Sequence, residues 1–154
     1  MTLNHMEDFE TLLAGSAKAH GHLCPGQVIG VRMALLGLSL LGLENTRTGP
    51  DIKKLVVYVE IDRCATDAIA YVTGVKLGRR SLKFKDYGVM AATFVNLEIG
   101  RAFRVVSTER SRELVPVYAP EIQDFRSAHL TAYKRMPLSE LFDVFEVRVD
   151  IPET

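Results

Sequence analysis

The chain has 154 residues, 47% hydrophobic and 25% charged, which is too apolar for a disordered protein and enough to bury a core in one domain spanning residues 1–154. Lys plus Arg and Asp plus Glu are both 19, so the formal net charge is zero; that excludes a general electrostatic nucleic-acid binder and mildly favours an oligomer that hides apolar surface. Two cysteines, Cys24 and Cys64, are too few for a disulfide scaffold.

Residues 1–8 have neither a basic nor an apolar leader segment, so no signal peptide is expected. Residues 6–19 read as a helix, with Phe9, Leu12, Leu13 and Ala17 near a 3.6-residue period and Glu7, Asp8 and Glu10 in the first turn, where the helix dipole favours acids. The run His20-Gly21-His22-Leu23-Cys24-Pro25-Gly26 follows. Pro25 suits the first position of a second helix, predicted to run to Leu41 with Gly42 as its stop. Gly26, Gly30, Ala34 and Gly37 make one smooth stripe along it, which admits a close backbone. The helix is apolar nearly all round and must be covered on most sides. Two settings stay open for it, a dimer interface and the core of a monomer. The most apolar stretch, residues 28–43, is shorter than a membrane span usually needs and contains Arg32, so the expectation is a soluble, cytoplasmic protein with no membrane partner.

Residues 44–51 are turn-rich. Residues 54–61 are a strand rich in β-branched side chains, and 62–73 turn back as a short helix ended by Gly74. Strands are expected at 81–87, 90–97 and 101–107, a helix near 121–134 and a last strand near 144–151. This order predicts an α+β fold, N-terminal helices packed on a mainly antiparallel sheet, rather than a βαβ repeat.

Reactive side chains concentrate at His20, His22 and Cys24. In an extended segment all three share a face; in a helix His20 and Cys24 share one and His22 points away. Cys24 precedes a helix N-terminus, where the partial positive charge favours thiolate. Cys64 sits in a similar place, after a strand and before a helix, with Arg63 beside it and Asp67 on its helical face. If the two cysteines meet, then Cys24, Cys64 and His20, with His22, Asp67 or water as a fourth ligand, make a tetrahedral sulfur–nitrogen site suited to Zn²⁺. The alternative is inert burial, the usual lot of a free cysteine.

The run Lys76, Arg79, Arg80, Lys83, Lys85 is a second feature. It reads either as an anion pocket near Gly74 and Gly78 or, preferably, as a solvated turn and an edge strand whose lysines discourage pairing. Arg101, Arg104, Arg110 and Arg112 form a looser set for which Glu109 and Glu113 are the expected partners. Asp86-Tyr87-Gly88 reads as a turn, and His5 and His129 as surface residues.

The His-Gly-His-Leu-Cys-Pro-Gly block, the helix with Gly30 and Arg32, then Glu60, Cys64 and Asp67-Ala68-Ile69, Val72-Thr73-Gly74 with Leu77-Gly78, and Lys85-Asp86-Tyr87-Gly88 resemble the E-subunit family of formylmethanofuran dehydrogenase over about residues 16–100. The resemblance implies an intertwined α+β homodimer and a metal site at His20, His22, Cys24 and Cys64, with Asp67 a weaker member. It implies a divalent metal cofactor, zinc first, and an association with a molybdenum or tungsten oxidoreductase complex. Many relatives carry a C-terminal zinc ribbon; this sequence has no cysteine after Cys64, so ribbon-dependent docking is not expected of it. Two other functions remain open: a metal-free thiol redox enzyme using Cys24 and Cys64, with His20 or His22 as base, and a docking protein.

Overall fold

The computed structural model describes the backbone of residues 5–151 and the side chains from Phe9 onward. The expected acids Glu7 and Asp8 and the side chain of His5 lie outside the described residues. Two helices come first, α1 (His5–His20) and α2 (Pro25–Leu41), then β1 (Leu55–Val59), α3 (Cys64–Thr73), β2 (Leu82–Phe84), β3 (Ala91–Asn96) and β4 (Arg101–Ser107). Four helices follow, α4 (Glu109–Glu113), α5 (Val115–Tyr118), α6 (Phe125–Arg135) and α7 (Leu138–Leu141), and the last strand is β5 (Phe142–Val147).

The punctuation of the sequence is realised locally. Pro25 opens α2, and Gly42 closes it at φ 71° with its N–H on the Ser39 carbonyl. Gly74 closes α3 in the same left-handed conformation, φ 84°. The last strand starts at Phe142 and ends at Val147, earlier than the expected 144–151, because its register is set by pairing with β4 rather than by its own sequence. Helices α4, α5 and α7 have only four or five residues each, too short for a periodic signal. Thr108 caps α4 by accepting the Ser111 N–H.

The sheet runs β2-β1-β3-β4-β5. All neighbours are antiparallel except β1 and β2, which are parallel and joined through α3, so the α+β expectation holds with one crossover built in. The helices cover one face. Val57, Val59, Ala92, Phe94, Phe103 and Val105 point into that core, against Val28, Val31, Met33, Leu38 and Ile69. On the other face Val56, Val95 and Ala102 are covered by Tyr58, Val147, Val149 and Ile151.

α2 lies at the centre, and its small-residue stripe is used within the chain. A Cβ at Gly30 would come 2.6 Å from the Ala65 carbonyl oxygen and 2.6 Å from the Ala68 Cβ, so α3 packs directly on the α2 backbone. A Cβ at Gly37 would meet the Phe94 ring at 2.5 Å. Arg32, the one charge in α2, reaches the other way: it donates to the Tyr133 and Met136 carbonyls and so caps the C-terminal end of α6. Among the described residues, no helix is long and apolar enough to cross a membrane.

The basic run forms a one-turn 3₁₀ helix (Leu77–Arg79) and the edge strand β2, as the turn-and-edge reading expects. Lys53, Arg79, Arg80 and Lys83 line a cleft of about 340 Å³ there. The arginine set does not pair with Glu109 and Glu113. Arg104 makes a two-pronged ion pair with buried Glu60 at 2.8 Å, Arg101 pairs with Glu146, and Arg110 faces Asp143 at 3.8 Å. The reason is the ladder: β4 lies between β3 and β5, so its side chains meet residues distant in sequence.

Candidate metal centre

Three helix ends converge on one point. α1 ends at His20. Gly21, at φ 113°, reverses the chain and bonds its N–H to the Ala17 carbonyl at 2.8 Å. Cys24 is extended (φ −144°, ψ 163°) at the mouth of α2, and Cys64 is the first residue of α3. The segment is thus neither wholly helical nor wholly extended. The break at Gly21 lets His20, on the helix, and His22 and Cys24, on the loop, turn inward together.

One ligand atom from each of His20, His22, Cys24 and Cys64 lies within 4.8 Å of the others. Cys24 is buried, His20 and Cys64 are half-buried and His22 is exposed. The two imidazoles lie against each other with ring centroids 4.9 Å apart. Both cysteines are free thiols. Two sulfurs and two nitrogens are a donor set that a tetrahedral ion such as Zn²⁺ accepts, with bonds of about 2.0–2.3 Å.

Asp67 has a different place from the one the sequence offered it. It is not a member of the donor cluster; its Oδ2 accepts from His20 Nδ1 at 2.7 Å. A carboxylate on Nδ1 holds the proton there and leaves Nε2 as the free lone pair, the arrangement by which a second residue orients a metal-binding imidazole.

A residue that sequence reasoning missed ties the three ends together. Gln27 is fully buried in the first turn of α2. Its Oε1 accepts the Ser16 hydroxyl of α1, and its Nε2 donates to the Cys64 carbonyl at 3.0 Å. The signal was present, a lone amide among apolar neighbours, because a buried amide must find partners. Arg126 of α6 adds a hydrogen bond to the Leu23 carbonyl at 2.8 Å, fixing the loop from outside.

The expected thiolate character does not extend to Cys64. Burial and the Cys24 thiol beside it push the Cys64 thiol up to about 11. Two neighbouring sulfurs resist a second negative charge, and a dication placed between them reverses that balance. This pairing suits metal ligation better than a free nucleophile.

Comparisons with known proteins agree with this architecture. The sequence pattern of a family described as "FmdE, Molybdenum formylmethanofuran dehydrogenase operon" matches residues 19–143. A curated protein of Archaeoglobus fulgidus, "Probable S-adenosyl-L-methionine-binding protein", is 32% identical over 120 residues, covering 77% of this chain. The matched part is 33% of that protein, so this chain spans about a third of its relative. The crystal structure of an FmdE-like protein from Syntrophus aciditrophicus, related to tungsten formylmethanofuran dehydrogenase, superposes with a TM-score of 0.68 at 20% identity, covering 97% of this chain and 78% of that one. At that identity it speaks for the fold.

Proposed function

The chain belongs to the FmdE family, and from that premise we propose that it is a divalent-metal-binding protein in which His20, His22, Cys24 and Cys64 hold the ion, zinc before other metals. The observation that carries this reading is the convergence of four donor atoms within 4.8 Å from three helix ends that Gln27 binds together. When bound, the ion supplies Lewis acidity and a stabilised pair of thiolates. The chain's residues do the rest. Asp67 holds the His20 proton on Nδ1, Gln27 fixes Cys64 against α2, and Gly26 leaves room for the close approach of Cys64, whose Cβ would stand 3.1 Å from any Cβ placed there. His22 is exposed and least held by packing, so it is the donor that would yield a coordination position.

The protein acts in the cytoplasm as a homodimer, in an accessory or metal-dependent role beside a molybdenum or tungsten oxidoreductase. The family's operon supports that association. The zero net charge and exposed apolar side chains on edge strand β5, Val144 and Phe145, support self-association. The test is metal content by mass spectrometry on tag-free protein purified without added metal, beside a folded Cys24→Ser variant. Near-stoichiometric metal lost in the variant is expected. Metal-free wild type with reduced thiols, or tight metal retained by the variant, overturns the reading.

A further inference from the structure

The donor cluster borders an open space. Gly26 and Cys64 form one end of a cleft of about 530 Å³, larger than the basic cleft at the sheet edge. Its walls come from the starts of α2 and α3, the loop before β3 and the junction of β4 with α4. That volume suits a small organic molecule.

The chemistry of the walls divides cleanly. Ile29, Ile61, Val89 and Met90 give an apolar side. The Thr108 and Ser111 hydroxyls also border the cleft, but both are spent locally: Thr108 donates to the Glu140 carbonyl, and Ser111 donates to the Thr108 carbonyl. Arg63 and Arg112 remain. Elsewhere Arg101, Arg104, Arg110 and Arg135 face carboxylates, and Arg32 and Arg126 are bonded to backbone carbonyls. Among the described residues, Arg63 and Arg112 have neither kind of partner, and both line this cleft. Arg112 lies beside the Tyr133 hydroxyl, which shares the wall. One acid, Glu109, faces the same space, so the two guanidinium groups leave a net positive charge.

We propose that this cleft binds a small organic oxyanion, a carboxylate or a phosphate, through Arg63 and Arg112, with its apolar body against Ile29, Ile61 and Met90 and its far end directed at the metal centre. Guanidinium groups pair with either oxyanion in two-pronged fashion, and an apolar wall selects a ligand with a carbon body over a bare ion. The direction of the far end rests on the metal-binding reading; the oxyanion site does not.

The experiment is calorimetric titration of the purified protein with benzoate, phenyl phosphate and the uncharged isostere benzamide, on zinc-loaded and metal-stripped samples whose metal content is measured separately. At least one anion is expected to bind ten times or more tightly than benzamide, and the preferred one identifies the oxyanion. Arg112→Gln and Arg63→Gln, both at exposed positions, should each lower that affinity at least fivefold with the fold intact by circular dichroism, and Arg112→Lys should recover part of it. Equal affinity for anion and benzamide, or variants that bind like wild type, overturns the proposal. Anion binding by a protein that takes up no zinc would sink the metal reading and leave the cleft standing; stoichiometric zinc without anion preference would do the reverse. In cobalt-substituted protein the visible bands should shift on adding the preferred anion, and unchanged bands would refute the orientation toward the metal.

Discussion

Gly30→Ala tests whether the contact between α2 and α3 sets the place of Cys64. The added methyl would stand 2.6 Å from the Ala65 oxygen, 2.6 Å from the Ala68 Cβ and 2.8 Å from the Ala65 Cα, where ordinary contacts begin at 3.4 Å. Two of these three atoms are backbone, so the strain cannot relax into a side-chain rotamer. α3 must retreat by roughly 1 Å to restore van der Waals spacing. Cys64 immediately precedes Ala65 and moves with it. Metal–ligand distances tolerate about 0.2 Å, so the shift exceeds the tolerance several times over. Overpacking costs about 1–3 kcal/mol, and the better helix propensity of alanine returns about 1 kcal/mol. The expected result is a net loss of stability of up to about 2 kcal/mol in urea denaturation of the metal-free protein. Zinc affinity, read by competition with a fluorescent chelator, should fall by about tenfold or more, the scale seen when the supports of a metal site are removed. Gly78→Ala is the control, because nothing lies within 4 Å of the methyl it would add. A Gly30→Ala protein with wild-type zinc affinity and undiminished stability would refute the argument.

Asp67→Ala removes the carboxylate from His20 Nδ1, so zinc should still bind one per chain but about 10–100-fold more weakly; unchanged affinity would show that Asp67 does not orient the ring. Gln27→Leu strands the Ser16 hydroxyl and the Cys64 carbonyl and should cost about 2–4 kcal/mol in urea denaturation, with zinc affinity falling alongside. Because the Cys64 thiol lies up at about 11, it is protonated at neutral pH and must lose its proton to bind metal. Apparent zinc affinity should therefore rise by at least about tenfold per pH unit between pH 7 and 9, and titrations in buffers of different ionisation enthalpy should report at least one proton released; a flat profile would count against Cys64 as a ligand. Arg104→Gln leaves the buried Glu60 carboxylate without its counter-charge and should lower stability by about 1–3 kcal/mol after allowance for partial exposure, whereas Arg101→Gln, at an exposed pair, should leave the denaturation midpoint where it is.

The parts of the fold governed by local rules were legible in the sequence. Pro25, Gly42 and Gly74 mark the bounds of α2 and α3 because proline and glycine act on their own backbone. Most strand segments were legible from β-branched composition, and the order of elements carried the α+β class. What was hidden is what the ladder and the packing decide. The register of β5, the Glu60–Arg104 pair and the cleft beside Cys64 all join residues far apart in sequence. The metal cluster was half local: His20, His22 and Cys24 announce one another by spacing, while Cys64 joins them only because Gly26 and Gly30 let α3 close on α2. Asp67 was placed near the site but in another role, since a side chain on the right helical face can serve either the ion or the ion's ligand. The small-residue stripe on α2 illustrates the same limit. Its use for close approach was readable, but its partners were α3 and Phe94 of the same chain.

Three of the four donors come from a five-residue segment, and the fourth lies forty positions further on. This uneven division has a consequence for how the ion and the fold are linked. An unfolded chain already offers His20, His22 and Cys24 as a short chelating peptide, so it competes for the ion that the native state also wants. Only the affinity that the native state adds over the unfolded chain, chiefly through Cys64 and the fixed orientation of His20, is returned as resistance to unfolding. The metal should therefore raise the melting temperature by less than its dissociation constant alone would indicate. It could also be acquired early in synthesis, held by the local trio and locked in place once α3 docks.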